Sequence, residues 1–350
     1  MAKTIFRGAT IFITLLAFAC ALGAQSQASA QAMDLFKQQK WAEAATEFRQ
    51  IEAASPGQTD ALLYQGKCLV NLGKFGEAGE ALRAYWFSHP QSEQAASLLA
   101  YVLFRENKPR ESLGLFTAAA RLKTPTADQF KIVALDYVLL NDYDDAGRYL
   151  EESLRRDPEN MECLYHLGRV RYQQNRFDDA IAAFQHALRL EPNNVKAQDN
   201  LGLSLTAENQ NEAAEGAFRK AIALDQVASV HTEQPYLNLG ILLSRTNRSE
   251  EAVELLLQAE RIAPNSIQVR HELGKTYFDM GQFQKARTEL EAGVRIDSTS
   301  RESHYLLGRT YQRLGLTELA AQEFKITENL IREQDASGSG MAAAPGPGMP

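Results

Sequence analysis

The sequence has few cysteines and none of the short motifs that mark common catalytic or metal sites. Three cysteines occur in 350 residues, and none is spaced from a histidine or another cysteine as in a zinc site. HExxH and Gly-rich phosphate-loop patterns are also absent. Adjacent acids such as Asp144 and Asp145 are expected to cap or solvate helices, because neighbours on a helix point to different sides. The sequence therefore predicts a non-catalytic protein with no cofactor and no metal.

Clusters of basic residues are absent as well. The formal net charge is −7, and removal of Lys3 and Arg7 with an N-terminal leader would change it to −9. An acidic protein without a run of Lys and Arg is not expected to bind nucleic acid.

Long apolar runs are limited to residues 9–22, a stretch too short to span a membrane comfortably. Lys3 and Arg7 precede this run, and Ala28-Ser29-Ala30 offers a small-residue cleavage site. We therefore predict a signal peptide over residues 1–30 and an exported protein, periplasmic or secreted, with no stable membrane span after cleavage.

Three alternatives for the N-terminus stay open. Cleavage after Ala24 would leave the first repeat whole, the leader could stay attached as an anchor, and Cys20 could carry a lipid. Without Cys20, the remaining Cys68 and Cys163 are predicted to be small packing residues, with an intermolecular disulfide as the alternative.

The dominant feature that is present is a 34-residue period. Leu167-Gly168, Ala180, Phe184 and Ala187 recur as Leu201-Gly202, Ala214, Phe218 and Ala221. A repeat of this length predicts stacked helical hairpins, each burying its apolar face against its neighbours. We assign six contiguous units within residues 25–228, an insertion at 229–232, and three further units within 233–334, starting at residues 25, 59, 93, 127, 161, 195, 233, 267 and 301.

The residue types have physical roles within a unit. Gly168 and Ala180 lack bulk where two antiparallel helices cross, and Phe184 is expected to fill the gap toward the next unit. Pro192 ends the second helix because it cannot continue the hydrogen-bond ladder. Asn194 then lies where it can cap the next helix.

These small, aromatic and proline positions resemble the tetratricopeptide repeat family over residues 25–334. The resemblance implies an all-α fold, a right-handed superhelical solenoid of about nine helix-turn-helix repeats whose concave side is lined by the first helices. It weakens in the third unit, where Ala100 and Ser112 replace the expected Gly and Ala, and in the fourth, where Ala134 replaces Gly.

The resemblance also implies ligand contacts at the second, fifth, sixth, ninth, twelfth and thirteenth positions of the first helices. In units five to nine these positions hold a mixed basic and aromatic set: Tyr165, Arg169, Tyr172, Lys196, Asn200, Asn238, His271, Lys275, Phe278, Tyr305 and Arg309.

A protein or peptide partner with acidic groups or a free carboxylate would suit this set, since several cations lie on one predicted face. Asn200 and Asn238 resemble two rungs of the asparagine ladder found in some peptide-binding relatives, because a side-chain amide pairs with a peptide group. Ordinary solvated side chains are the alternative for each residue. The carboxylate clamp of chaperone adaptors is absent.

Three functions follow from this interpretation. The first is a non-catalytic scaffold in the cell envelope that binds an extended segment, and the second is the binding subunit of an enzyme or secretion complex whose catalytic part is another chain. Self-association through exposed ends, giving a homo-oligomer, is the third. The Gly/Pro-rich residues 335–350 are predicted to be disordered, and the insertion at 229–232 either lengthens a loop or bends the array.

Overall fold

The computed structural model describes residues 27–57 and 60–338. Within this part of the chain the regular structure is entirely helical, with eighteen helices and no strand. The chain divides between Gln174 and Asn175 into two compact units. The predicted all-α repeat fold is confirmed, and each unit is built from antiparallel helical hairpins.

The first unit holds nine helices: α1 (27–37), α2 (Trp41–Ala54), α3 (Ala61–Asn71), α4 (Phe75–Ser88), α5 (Glu93–Arg105), α6 (Pro109–Leu122), α7 (Ala127–Leu139), α8 (Tyr143–Arg156) and α9 (Met161–Gln173). The second unit holds α10 (Phe177–Leu190), α11 (Val195–Ala207), α12 (Asn211–Asp225), α13 (Gln234–Arg245), α14 (Ser249–Ile262), α15 (Ile267–Asp279), α16 (Phe283–Ile296), α17 (Arg301–Arg313) and α18 (Thr317–Gly338). Odd-numbered helices are the first helices of their repeats.

Side-chain caps fix the starts of several first helices. Asn160 and Asn194 accept hydrogen bonds from the backbone N–H groups of Cys163 and Ala197, at 3.0 and 2.9 Å. At Thr126 the hydroxyl and Gln129 exchange hydrogen bonds with each other's backbone, which forms a capping box. These contacts satisfy donors that a helix leaves unpaired in its first turn.

A left-handed residue ends the first helix of every repeat. Asn occupies this fifteenth position in five repeats, Gly in three and Gln in the first, all with φ between 58° and 74°: Gln39, Gly73, Asn107, Asn141, Asn175, Asn209, Asn247, Gly281 and Gly315. Gly and Asn tolerate this conformation best, so the turn explains the residue choice. The spacing is 34 residues except between Asn209 and Asn247, where four more are inserted.

Six of the nine repeats have glycine at the eighth position, where the two helices of the hairpin cross closely. A Cβ atom placed on Gly202 would lie 2.5 Å from the ring of Phe218, and one on Gly274 would lie 2.5 Å from Leu290. The large residue at the twenty-fourth position therefore packs on the glycine of its own repeat. Phe184, at this position in the fifth repeat, is fully buried, and its predicted packing toward the next unit stays a prediction.

The unusual serine in repeat three has a structural explanation. Ser112, which stands where Ala is expected, donates a 2.6 Å hydrogen bond to the buried carboxylate of Asp136, and its Oγ also lies 2.9 Å from the carbonyl of Ala100. The departure from the repeat pattern thus accommodates a buried acid in the next repeat.

The ends and the insertion differ in detail from prediction. Helix α18 continues to Gly338, so residues 335–338 are helical and the predicted disordered tail begins too early; residues 339–350 lie outside the described part of the chain, as do residues 1–26 of the predicted signal peptide. The insertion lies in a loop between Asp225 and Gln234. Asp225 anchors this loop by accepting a 2.8 Å hydrogen bond from the N–H of Thr232. Cys68 and Cys163 are free and buried, as predicted.

Candidate functional site

A cavity of about 710 Å³ lies on the first helices of repeats three to five, within the first unit. We call it the first-helix cavity. All twelve lining residues lie on α5, α7 and α9, and every one occupies the second, fifth, sixth, ninth, twelfth or thirteenth position of its repeat: Tyr101, Phe104, Arg105, Asp128, Lys131, Ile132, Leu135, Val138, Leu139, Glu162, His166 and Arg169. These are the six positions at which the resemblance to the tetratricopeptide repeat family implies ligand contacts.

The floor of the first-helix cavity is apolar and comes from α7. Ile132, Leu135, Val138 and Leu139 line it, and the side chain of Leu139 is 44% exposed. Exposed aliphatic side chains in a concave site are the usual surface for an apolar ligand group.

Three cations also line the cavity, and they differ in their interaction partners. Lys131 Nζ lies 2.7 Å from Glu162 and 3.2 Å from Asp128. Arg105 instead donates a 2.8 Å hydrogen bond to the hydroxyl of Tyr101 and lies over the ring of Phe75. Arg169 lies over the ring of its helix neighbour Tyr165, 5.9 Å from the centroid.

Neither Arg105 nor Arg169 is in an ion pair within the described part of the chain, although both line the first-helix cavity. A guanidinium retains a full positive charge and can bind a carboxylate with two parallel hydrogen bonds. The cavity is therefore suited to a ligand that combines an apolar group with a carboxylate.

His166 also lines the first-helix cavity and adds no charge at neutral pH. Burial and, to a smaller extent, the nearby Arg169 guanidinium lower the pKa of His166 to about 4. The imidazole is consequently neutral at pH 7 and can either donate or accept a hydrogen bond.

Several predicted residues of the second unit already have contacts within the protein. His271 Nδ1 lies 3.1 Å from the hydroxyl of the buried Ser303, and burial lowers the pKa of the imidazole. Lys275 lies 3.7 Å from Glu272. Tyr305 is half exposed and tilts against Phe324, while Lys196 is exposed at the start of α11.

Phe278 is the clearest departure from the predicted set. Its side chain is buried, its ring meets Phe283 edge-on at 5.4 Å, and Arg309 covers it at 4.9 Å from the centroid. Phe278 is thus a core residue, and Arg309 is the exposed member of the pair.

The two predicted ladder asparagines already use their amide donors. Asn238 donates to both oxygens of Asp199, at 3.0 Å each, and Asn200 donates a 2.8 Å hydrogen bond to the carbonyl of Lys196 on its own helix. Asp199 is buried, so the Asn238 amide satisfies an acid inside the protein. Asn238 therefore has a structural role that the ladder interpretation missed.

Tyr165, Arg169 and Tyr172 lie on α9 in the first unit, whereas the other eight predicted residues lie in the second unit. Only Arg169 of the predicted set lines the first-helix cavity. The predicted set left out Tyr101, Arg105 and Lys131 because it covered only repeats five to nine; the same six positions in repeats three and four identify them.

Models of the tetratricopeptide repeat match residues 29–93, 134–195, 165–230 and 233–266, and a model described as TPR repeat matches 274–315. Together these ranges cover more than half of the 350 residues. The chain belongs to the tetratricopeptide repeat family. Proteins of this family bind protein partners and are typically non-catalytic scaffolds.

A curated relative, the rhomboid protease GluP of Bacillus subtilis (strain 168), is 29% identical over 93 residues. That match covers 26% of this chain, and the chain spans about a fifth of the relative's length, namely 18%. It therefore extends over a few repeats only.

Similar solved structures share the fold. A TPR repeat-containing protein from Cytophaga hutchinsonii aligns with a TM-score of 0.57 at 17% identity, covering 70% of this chain and 98% of that one. The type IV pilus biogenesis factor PilW aligns with a TM-score of 0.52 at 21% identity, covering 56% and 90%. In the described residues no helix is long and apolar enough to cross a membrane.

Proposed function

We propose that this protein is a scaffold of the cell envelope that binds an extended protein segment, with acidic groups or a free carboxylate, along its first helices. The observation that carries the proposal is the first-helix cavity, where two arginines outside ion pairs border an apolar floor. An apolar side chain of the ligand would lie on α7, and a neighbouring carboxylate would bind Arg105 or Arg169.

The Arg105 side chain is already held in position for this role by contacts within the protein. Its guanidinium is held between a hydroxyl at 2.8 Å and the ring of Phe75 at 4.3 Å from the centroid. Holding the side chain reduces the conformational entropy lost on binding. Lys196 and Arg309 are further candidate contacts in the second unit.

Peptide-library panning tests the proposal. We expect the wild-type protein to select peptides that combine bulky aliphatic residues with Asp, Glu or a free C-terminus. The double variant Arg105→Ala/Arg169→Ala should bind a selected synthetic peptide at least tenfold more weakly, because both charge-assisted contacts are lost.

The matched control is Arg121→Ala/Arg189→Ala, which removes two exposed arginines from second helices. It changes the net charge equally and should leave peptide affinity unchanged. Equal weakening by both double variants would mean that binding follows net charge, and unchanged affinity in the first variant would remove the first-helix cavity from the proposal.

Export is the second part of the proposal, and the packing of α1 favours cleavage after Ala24. Ala32 is fully buried and Ala28 packs against the core of the first repeats. Cleavage after Ala30 would remove Ala28, whereas cleavage after Ala24 keeps α1 whole. The intact mass of the protein from the envelope fraction should therefore correspond to a chain starting at Gln25, and a mass that retains residues 1–24 would contradict cleavage.

A further inference from the structure

A second cavity, of about 330 Å³, lies where repeats three and four meet. We call it the junction cavity. Its walls come from α6, α7, α8 and Pro125 in the loop between α6 and α7. It shares no lining residue with the first-helix cavity, so a segment bound on the first helices does not account for it.

The junction cavity exists because two side chains are smaller than the repeat pattern would supply. At the twenty-eighth position, repeat three has Ala120, whereas four other repeats have large apolar side chains that pack against their cores: Trp86, Leu154, Ile222 and Val294. At the seventh position, repeat four has Val133 where repeats three and five to nine have Leu. Both small residues line the cavity.

Aromatic rings form much of the wall. Phe116, Phe130, Tyr137 and Tyr149 all line the cavity. Tyr137 and Tyr149 are stacked with centroids 5.5 Å apart and planes 6° apart, and Phe130 stacks on Tyr149 at 6.0 Å. Nearly parallel ring faces favour a flat apolar guest, since it gains both burial and ring contacts.

The polar side chains of the lining do not call for a polar guest. Gln129 is fully engaged, because its amide donates to Glu93 and Ser97 and its oxygen accepts from the backbone N–H of Thr126. Thr117 donates its hydroxyl to the carbonyl of Leu113 in its own helix, at 2.8 Å. The other lining side chains are apolar apart from the hydroxyls of Tyr137 and Tyr149.

We propose that the junction cavity is a binding site for a small apolar ligand with one or two fused aromatic rings. Its volume lies at the lower end of the range for ligand pockets, roughly 300–1,000 Å³. The site is independent of peptide binding on the first helices.

Indole is a suitable probe, and calorimetric titration of the full chain measures its binding. We expect one saturable site per chain. The variant Ala120→Leu/Val133→Leu introduces residue types that other repeats carry at the same positions, and it should bind indole at least tenfold more weakly because the added methyl groups occupy the cavity.

Arg105→Ala/Arg169→Ala leaves every junction-cavity residue in place and should bind indole like the wild type. Circular dichroism checks that each variant is folded, and either single substitution replaces the double one if folding fails. The proposal is overturned if the wild type shows no saturable binding, if the filled variant binds equally well, or if the arginine variant loses binding as the filled variant does.

Discussion

In its described part, each unit buries one carboxylate on a first helix, and the two carboxylates accept different numbers of hydrogen bonds. Asp199, in the second unit, has both oxygens bonded by the Asn238 amide. Asp136, in the first unit, accepts from Ser112 on one oxygen, and its Oδ1 has no hydrogen-bond partner among the described residues. Burial raises the pKa of Asp136 to about 7 and that of Asp199 to about 6, with the hydrogen bonds acting in the opposite direction.

The same contrast extends to packing around these acids. Helix α7 buries only Ala134 and Asp136, although its sequence is mostly apolar, whereas α13 buries seven of its residues. The apolar side chains of α7 instead line the first-helix cavity on one side and the junction cavity on the other. Helix α7 of repeat four is therefore less buried where the candidate binding surfaces lie, whereas α13 in the second unit is packed on most sides.

The largest expected effect compares the same position in repeats six and three. Phe218→Ala should lower the free energy of unfolding by about 3–5 kcal/mol, because its ring is enclosed against Gly202. Phe116→Ala should cost at least about 1 kcal/mol less, since its ring borders the junction cavity and already lacks neighbours there. Urea unfolding followed by circular dichroism measures both free energies. Equal losses in the two variants would contradict the proposed difference in packing.

The second comparison uses pH. Because the pKa of Asp136 is raised from 3.8 to about 7, the folded state holds this proton more tightly than the unfolded chain. Stability should therefore fall by roughly 2–4 kcal/mol as pH rises from about 4 to 7, and Asp136→Asn should abolish that fall. Asp199→Asn should remove a smaller dependence that ends near pH 6. Urea titrations across this range test both, and an identical pH profile for wild type and Asp136→Asn would contradict the assignment.

The third comparison concerns the helix crossing at the eighth position. Gly202→Ala should destabilise by about 1–3 kcal/mol, because the new Cβ would lie 2.5 Å from the Phe218 ring. Ala134, at the same position in repeat four, is already accommodated, and Ala134→Gly should cost about 0.5–1 kcal/mol through backbone entropy. Thermal melts rank the two, and a neutral Gly202→Ala would mean that the crossing is not tight.

The smallest expected effect is at the left-handed turn. Gln39→Gly in the first unit should stabilise by about 0.5–1 kcal/mol, since Gln39 has φ of 58° without the tolerance of Gly or Asn. Gly281→Gln in the second unit should destabilise by a similar amount. Opposite shifts in melting temperature are the expected result, and shifts of the same sign would contradict the conformational explanation.

The sequence predicted the helical repeat and the caps of its helices because these depend on local residue types such as Gly168, Pro192 and Asn194. It also supplied the six surface positions that line the first-helix cavity. It did not reveal that Phe278 is buried or that Asn238 bonds Asp199, since both depend on neighbours from other repeats. The sequence contains the small residues Ala120 and Val133 that line the junction cavity. They indicate a cavity only when all repeats are compared.

Hydrogen exchange of the wild-type protein with and without a panned acidic peptide tests binding on the first helices most directly. We expect added protection in α5, α7 and α9, strongest in α7, and loss of that protection in Arg105→Ala/Arg169→Ala. Protection confined to the second helices of the hairpins, or unchanged by the two substitutions, would contradict it.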